Sequence, residues 1–314
     1  MPIAPYSFNS QNFETLIFSA YYAPRGRQRL YMLAGELSSR YLFPSDLLIG
    51  ILGSEGSGKS TLIKGLFPGL ELTNDDDGVN LRPTPLYDFE PDDFFAGHTF
   101  HLDARYELAF NQLHEVADSV KKAVMHGRRV VVEHFDLLYD ALGFNAHILF
   151  GIGEEVLVVR PGVFGPNPME IKKVVDKTIR FRLMSHSAED IISYILAKDY
   201  GINRRMLHSD VKHGFVIKLS SKPEIDLDEL EKKVLDVIES DFPINHAGEN
   251  QITIGDWNIF CTGTRTHVKS TGKIENFHLK KDFLYEPLSR EWLLVGMVGH
   301  REVAGLEDIS YIQE

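Results

Sequence analysis

The sequence predicts an α/β chain in two parts. The first is built on a doubly wound, mainly parallel sheet, and the second is of α+β type. Three observations carry this reading. Residues 47–52, Leu-Leu-Ile-Gly-Ile-Leu, are apolar apart from Gly50 and read as a strand buried on both faces. Strands, loops and helices then alternate as far as Arg160, the pattern of a sheet covered by helices. A run of glycines and prolines, Gly162-Val-Phe-Gly-Pro-Asn-Pro168, interrupts the alternation, and a different pattern follows it.

In order, residues 1 to about 26 show no period and predict an extended or irregular lead-in. Leu30, Leu33, Ala34, Leu37 and Tyr41 recur at helical spacing, and Pro44-Ser45-Asp46 stops that helix. Arg25, Arg27 and Arg29 cluster at its start, as a solvated helix end or as a clamp for phosphate. After the buried strand and its helix, residues 70–73 suggest a short strand running into the acidic turn Asn74-Asp75-Asp76-Asp77-Gly78. Residues 82–98, with three prolines and several aromatics, read as a lid or substrate loop. Leu108, Leu113, Val116, Ala117, Val120 and Val124 mark an amphipathic helix ending at Gly127. Residues 129–134, Arg-Val-Val-Val-Glu-His, form a further buried strand with an acid near its C-terminal end, followed by strands at 148–150 and 155–160. The predicted segments are 1–44, a lead-in and helix; 45–164, the first domain; 168–286, the second; and 287–314, a final strand and tail.

The chain has 314 residues, 43% of them hydrophobic and 25% charged, the make-up of a globular protein. No apolar run approaches bilayer length, and the N-terminal stretch lacks a basic start before an apolar core, so a cytoplasmic protein with no membrane partner is expected. A single cysteine, Cys261, excludes an internal disulfide and fits a reducing compartment. The net charge of −12 argues against a DNA partner. Residues 168–286 nonetheless hold 18 Lys/Arg against 19 Asp/Glu, so this part keeps the option of a local basic face toward RNA.

The clearest chemistry lies in Gly53-Ser-Glu-Gly-Ser-Gly-Lys-Ser60, which satisfies G-x-x-x-x-G-K-[ST], the phosphate-binding loop. Its glycines let successive N–H groups point into one hollow, and the helix starting near Lys59 adds the positive end of its dipole. The expected ligand is ATP with Mg²⁺, held by Gly53, Ser54, Glu55, Gly56, Ser57, Gly58, Lys59, Ser60 and Thr61. Lys59 would reach the β- and γ-phosphates and the Ser60 hydroxyl would take Mg²⁺. Glu133 stands where a parallel sheet places its ligands, and is a candidate for orienting the metal or acting as base. Asp75 and Asp76 are candidates to meet a phosphoryl acceptor, with a plain acidic turn as the alternative. The strand, GSEGSGKST loop and helix, followed by a helix and HGRRVVVEHFDLL, resemble the P-loop kinases of the uridine kinase and phosphoribulokinase group. The resemblance implies phosphoryl transfer from ATP.

Beyond Pro168 a long helix, residues 171–200, carries His186 and Asp190. A strand at 214–219, an amphipathic helix at 227–240 and the segment Cys261-Thr-Gly-Thr-Arg-Thr-His267-Val-Lys-Ser-Thr-Gly-Lys-Ile-Glu-Asn-Phe277 follow. This succession resembles the second additional domain of alanyl- and threonyl-tRNA synthetases and of free-standing editing proteins, over about 110 residues. In that family the pattern is H-x-x-x-H on a helix and C-x-x-x-H in a later segment. Here Asp190 replaces the second helical histidine, and two extra residues separate Cys261 from His267. His186 and Asp190, four apart, share a helix face, and thiolate, carboxylate and imidazole all suit zinc. A metal-free remnant in which these residues are merely packed is the alternative.

Two functions are expected: an ATP-dependent kinase or NTPase acting on a small phosphoryl acceptor, or a nucleotide-gated deacylase of mischarged aminoacyl-tRNA. A non-catalytic module binding tRNA or an aminoacyl group is a third.

Overall fold

β2 (Leu48–Leu52) runs through the middle of the first sheet, and all five of its residues are buried. The computed structural model describes residues 18–75, 78–79, 86–87, 98–162, 165–203 and 208–300. Two units divide the chain: Tyr31–Lys177 with the residues through Tyr21, and Tyr22–Leu30 with the residues from Thr178.

In chain order, β1 (Ser19–Tyr22), α1 (Arg27–Tyr41), β2, α2 (Lys59–Leu66), a two-residue pair β3 (Asn74–Asp75) and β4 (Gly78–Val79), and β5 (Thr99–Asp103) come first. Next are α3 (Ala104–Glu107), α4 (Leu113–Met125), β6 (Arg129–Glu133), α5 (Tyr139–Leu142), β7 (Ile148–Ile152), β8 (Glu155–Val159) and α6 (Pro168–Tyr200). The first sheet has the order β1-β8-β7-β2-β6-β5. β5, β6, β2 and β7 are mutually parallel, and β7 pairs antiparallel with β8. The sheet is therefore mixed, with a mostly parallel centre. Only Gly153 and Glu154 separate β7 from β8, and so short a link joins antiparallel neighbours, because a parallel crossover needs a dozen or more residues.

Three further points differ from the sequence reading. Residues 70–73 are not a strand, and pairing begins at Asn74. β5 falls between the expected loop and the expected helix, and β1 occupies part of the expected irregular lead-in. Apolar side chains from β2, β5, α4, β6 and β7 and from the turn after β6 form this unit's core, among them Leu48, Leu102, Val116, Val120, Val130, Val132, Phe135 and Leu149.

The second unit contains β9 (His208–Val211), β10 (Gly214–Leu219), α7 (Leu227–Glu239), β11 (Ile244–Gly248), β12 (Gln251–Ile254), β13 (Trp257–Phe260), β14 (His278–Leu279), β15 (Leu284–Glu286) and β16 (Glu291–Met297). One antiparallel sheet runs β14-β16-β10-β9, with β15 also on β16, and a second runs β11-β12-β13. The expected final strand is β16, an inner strand of this unit that matches Val216 with Val295 across its pair, and the expected tail from 301 lies outside the described residues. α7 begins with Asp226 accepting from the N–H groups of Asp228 and Glu229, a side-chain N-cap, and buries Leu230, Val234 and Val237.

Arg25 is neither solvated nor a phosphate clamp. It is 4% exposed, its Nη2 lies 2.9 Å from Glu189 Oε2 and 3.4 Å from Asp210 Oδ1, and its Nη1 donates to the Gly214 carbonyl at 3.1 Å. Arg29 reaches Asp210 at 2.7 Å. This ion-pair group ties residues 22–30 to the second unit. Among the described residues no helix is long and apolar enough to cross a membrane.

Candidate phosphate loop and candidate metal centre

The chain leaves β2 at Leu52 and turns through three left-handed glycines, Gly53 (φ 152°), Gly56 (φ 73°) and Gly58 (φ 95°), before α2 opens at Lys59. Such values are open to glycine and strained for other residues. A Cβ on Gly53 would stand 2.8 Å from the Ile152 carbonyl oxygen and 2.9 Å from Ser57 Oγ. Gly58 supplies no capping side chain, so the first N–H groups of α2 stay available to an anion. Ser57 is buried, whereas Gly56, Gly58, Ser60 and Thr61 are half-buried and Glu55 is exposed. Lys59 curls back over the loop and donates to the Ser54 carbonyl at 3.0 Å. Ser54 Oγ donates to Asp176 Oδ1 at 2.6 Å, which fixes the start of the turn. Arg105 lies 3.9 Å from Glu55 at the loop's tip.

Glu133 ends β6 in register with Ile51 of β2 and Asp103 of β5. Its Oε2 is 4.0 Å from Lys59 Nζ and its Oε1 is 3.2 Å from His101 Nε2. The Thr73 N–H, a donor only, points at His101 Nδ1 at 3.1 Å. Nδ1 therefore accepts, the ring proton sits on Nε2, and His101 donates to Glu133. Asp75 pairs through its backbone with Gly78, while Asp76 lies outside the described residues.

Asp103 and His134 escaped the sequence reading. Their ligand atoms and that of Glu133 lie within 4.8 Å of one another, and all three residues are buried. Burial and the nearby Lys59 charge push the His134 imidazole down to about 4, against the pull of Asp103 and Glu133. For His134 the signal was position, directly after the apolar run that Glu133 ends; Asp103, in Thr-Phe-His-Leu-Asp, carried none.

In the second unit His186, Asp190, Cys261 and His267 converge, with ligand atoms within 4.8 Å of one another. Cys261 Sγ is 3.4 Å from His186 Nε2 and 3.3 Å from His267 Nε2. Asp190 Oδ2 is 3.8 Å from the first and 3.7 Å from the second. A tetrahedral zinc with bonds of about 2.0–2.3 Å spaces its ligands about 3.3–3.8 Å apart, so the set fits that ion.

The imidazoles are oriented for it. His186 Nδ1 is 3.0 Å from the Thr266 carbonyl, an acceptor only, so Nδ1 carries the proton and Nε2 turns a lone pair inward. Ser187 Oγ donates to the Leu183 carbonyl, so it accepts from His267 Nδ1 at 3.2 Å, and His267 Nε2 is likewise bare. The neighbour of each histidine thus holds the other, as ligating histidines require. Ser187 and Thr266 had not been singled out. The two extra residues before His267 are taken up in a turn closed by the Thr266 N–H on the Gly263 carbonyl at 2.9 Å. Asp190 comes from α6 one turn beyond His186, and the four donors lie together despite the two departures from the pattern of the editing domains that the sequence resembles.

Comparison with protein-family models finds none that matches this chain, and no curated protein matches it; the residues themselves carry the functional argument.

Proposed function

We propose that the chain is an ATP-dependent phosphotransferase or NTPase built on a P-loop fold. The observation that carries this is the loop itself, three left-handed glycines between a buried strand and an uncapped helix start, with Lys59 folded over the turn. Backbone N–H groups there would cradle the phosphates, Lys59 would exchange the Ser54 carbonyl for phosphate oxygen, and the Ser60 hydroxyl would take Mg²⁺. When bound, Mg²⁺ offsets charge on the β- and γ-oxygens. Glu133, held by His101, keeps a carboxylate beside Lys59 at the strand ends where an acceptor would approach. Asp75 and Asp76 remain candidates for that acceptor's contact.

Lys59→Ala tests the reading. ATP affinity should fall by roughly tenfold or more, as loss of a charge-assisted contact of about 1.5–3 kcal/mol implies, with circular dichroism unchanged. Wild-type affinity in that variant would overturn it.

The tetrad favours a second reading for the other unit, an editing-type hydrolase of aminoacyl esters. His186, Asp190, Cys261 and His267 would hold zinc, whose role when bound is to polarise the ester or its attacking water. Hydrolysis needs an open position on the metal. Asp190 stands farther from both imidazoles than Cys261 does, which makes it the ligand to yield. Deacylation of mischarged tRNA by zinc-loaded protein, lost in Cys261→Ser, is the corresponding assay; no deacylation by protein shown to hold zinc excludes it.

A further inference from the structure

β5 and β6 bring a second set of metal donors to the first unit, beside the phosphate loop's Lys59 but drawn from other residues. Asp103 and Glu133 end adjacent parallel strands in register. His134 follows at once, and in a continued strand its side chain would point to the opposite face from Glu133. Instead its backbone turns left-handed, φ 55° and ψ 45°, and the ring joins the two carboxylates, all ligand atoms lying within 4.8 Å. His134 is 7% exposed, and among the described residues its ring makes no hydrogen bond. An imidazole and two carboxylates whose ligand atoms converge on one space make a donor set for a cation.

We infer that Asp103, Glu133 and His134 form a divalent-cation site that loads without nucleotide and prefers a nitrogen-accepting cation, of the Mn²⁺ or Zn²⁺ kind, to Mg²⁺. Two carboxylates supply the two negative charges that a dication needs, against the opposing positive charges of Lys59 and Arg105 nearby. One imidazole among oxygen donors suits Mn²⁺ or Zn²⁺, whereas Mg²⁺ favours oxygen and retains its water. The His101 hydrogen bond to Glu133 is the support a ligating carboxylate receives from its surroundings. The inference does not depend on the nucleotide reading, since no nucleotide enters it.

Mn²⁺ alone, titrated into the full chain and followed by loss of the free-ion paramagnetic resonance signal, is the test. One class of bound Mn²⁺ is expected in the absence of nucleotide. His134→Asn should weaken it by at least the roughly tenfold that loss of a ligand's own hydrogen-bond partner costs, and asparagine tolerates the left-handed backbone at this position. Asp103→Asn should do the same, but Asp103 also accepts from the Tyr106 N–H at the start of α3, so the His134 variant decides. Cys261→Ser should leave this Mn²⁺ in place. No Mn²⁺ binding, or binding unchanged in His134→Asn, overturns the inference. So does binding that appears only with ATP and vanishes in Ser60→Ala, because the ion is then the nucleotide's own. ATP affinity of Lys59→Ala is measured separately, so failure of the nucleotide reading and failure of this one are distinguishable.

Discussion

His134 holds a left-handed backbone and a buried ring at the same position, two costs that its neighbours must offset. Its imidazole titrates near pH 4 in the folded chain against 6.5 for the ordinary side chain, chiefly because burial disfavours the charged form and then because Lys59 is close. The unfolded chain therefore takes up a proton below pH 6.5 that the folded chain refuses until about pH 4. Stability of the metal-free protein should fall as pH drops through that window, and this contribution should level off below it. Urea melts between pH 7 and pH 4 should show a shallower decline for His134→Asn than for the wild type. Parallel declines would mean that the ring is not held neutral. At this scale the sequence was legible where a motif fixes spacing, as at Lys59 and Ser60. It was legible at Glu133 because an acid ends an apolar run. Asp103, His101 and Ser187 were not, because their roles come from register and from a ring or hydroxyl that another chain segment supplies.

Among the elements, β2 shows how a local exception is tied to packing. Gly50 interrupts an apolar run, and a Cβ there would come within 2.4 Å of Leu149 Cδ2 and 2.7 Å of Phe135 Cγ. Adjacent strand β7 and the turn after β6 thus press onto the strand that feeds the phosphate loop. Gly50→Ala should cost about 1–3 kcal/mol through overpacking, read as a lower urea midpoint. It should weaken ATP binding as well if the loop follows the displaced strand. An unchanged midpoint would show that Leu149 and Phe135 can move aside freely. Elements with a long period, such as α4, α6 and α7, were readable because many turns repeat one apolar stripe. β5 was not, since five residues with His101 and Asp103 among them carry too little pattern. The reversal of β8 follows from a two-residue link, a feature of connection length that strand composition does not carry.

At the scale of the whole chain, the glycine and proline run at 162–168 suggested a boundary, yet the division falls at Lys177, inside α6. The reason is that α6 has two jobs. Ile171 and Val175 press on Gly151 in the first unit, where a Cβ would stand 2.8 Å and 3.0 Å from them. More than two turns beyond the division, the same helix carries His186 and Asp190 into the tetrad of the second. Sequence composition marks where a chain bends, whereas packing decides where a unit ends. The tetrad joins α6, the end of β13 and the loop before residues 271–273, and buries a carboxylate that is 0% exposed among imidazoles and a thiol. An ion there would add to the charge compensation that Arg25 already gives Asp190, and metal affinity is in part folding free energy. Removal of zinc by a chelator should therefore release amide protection in residues 182–190 and 259–270, leaving β2 and β6 as protected as before. Hydrogen exchange read by mass spectrometry with and without chelator separates the two regions. Equal protection under both conditions would mean that the four donors are held by packing alone, and loss in both units would mean that the metal stabilises more of the chain than the unit it binds.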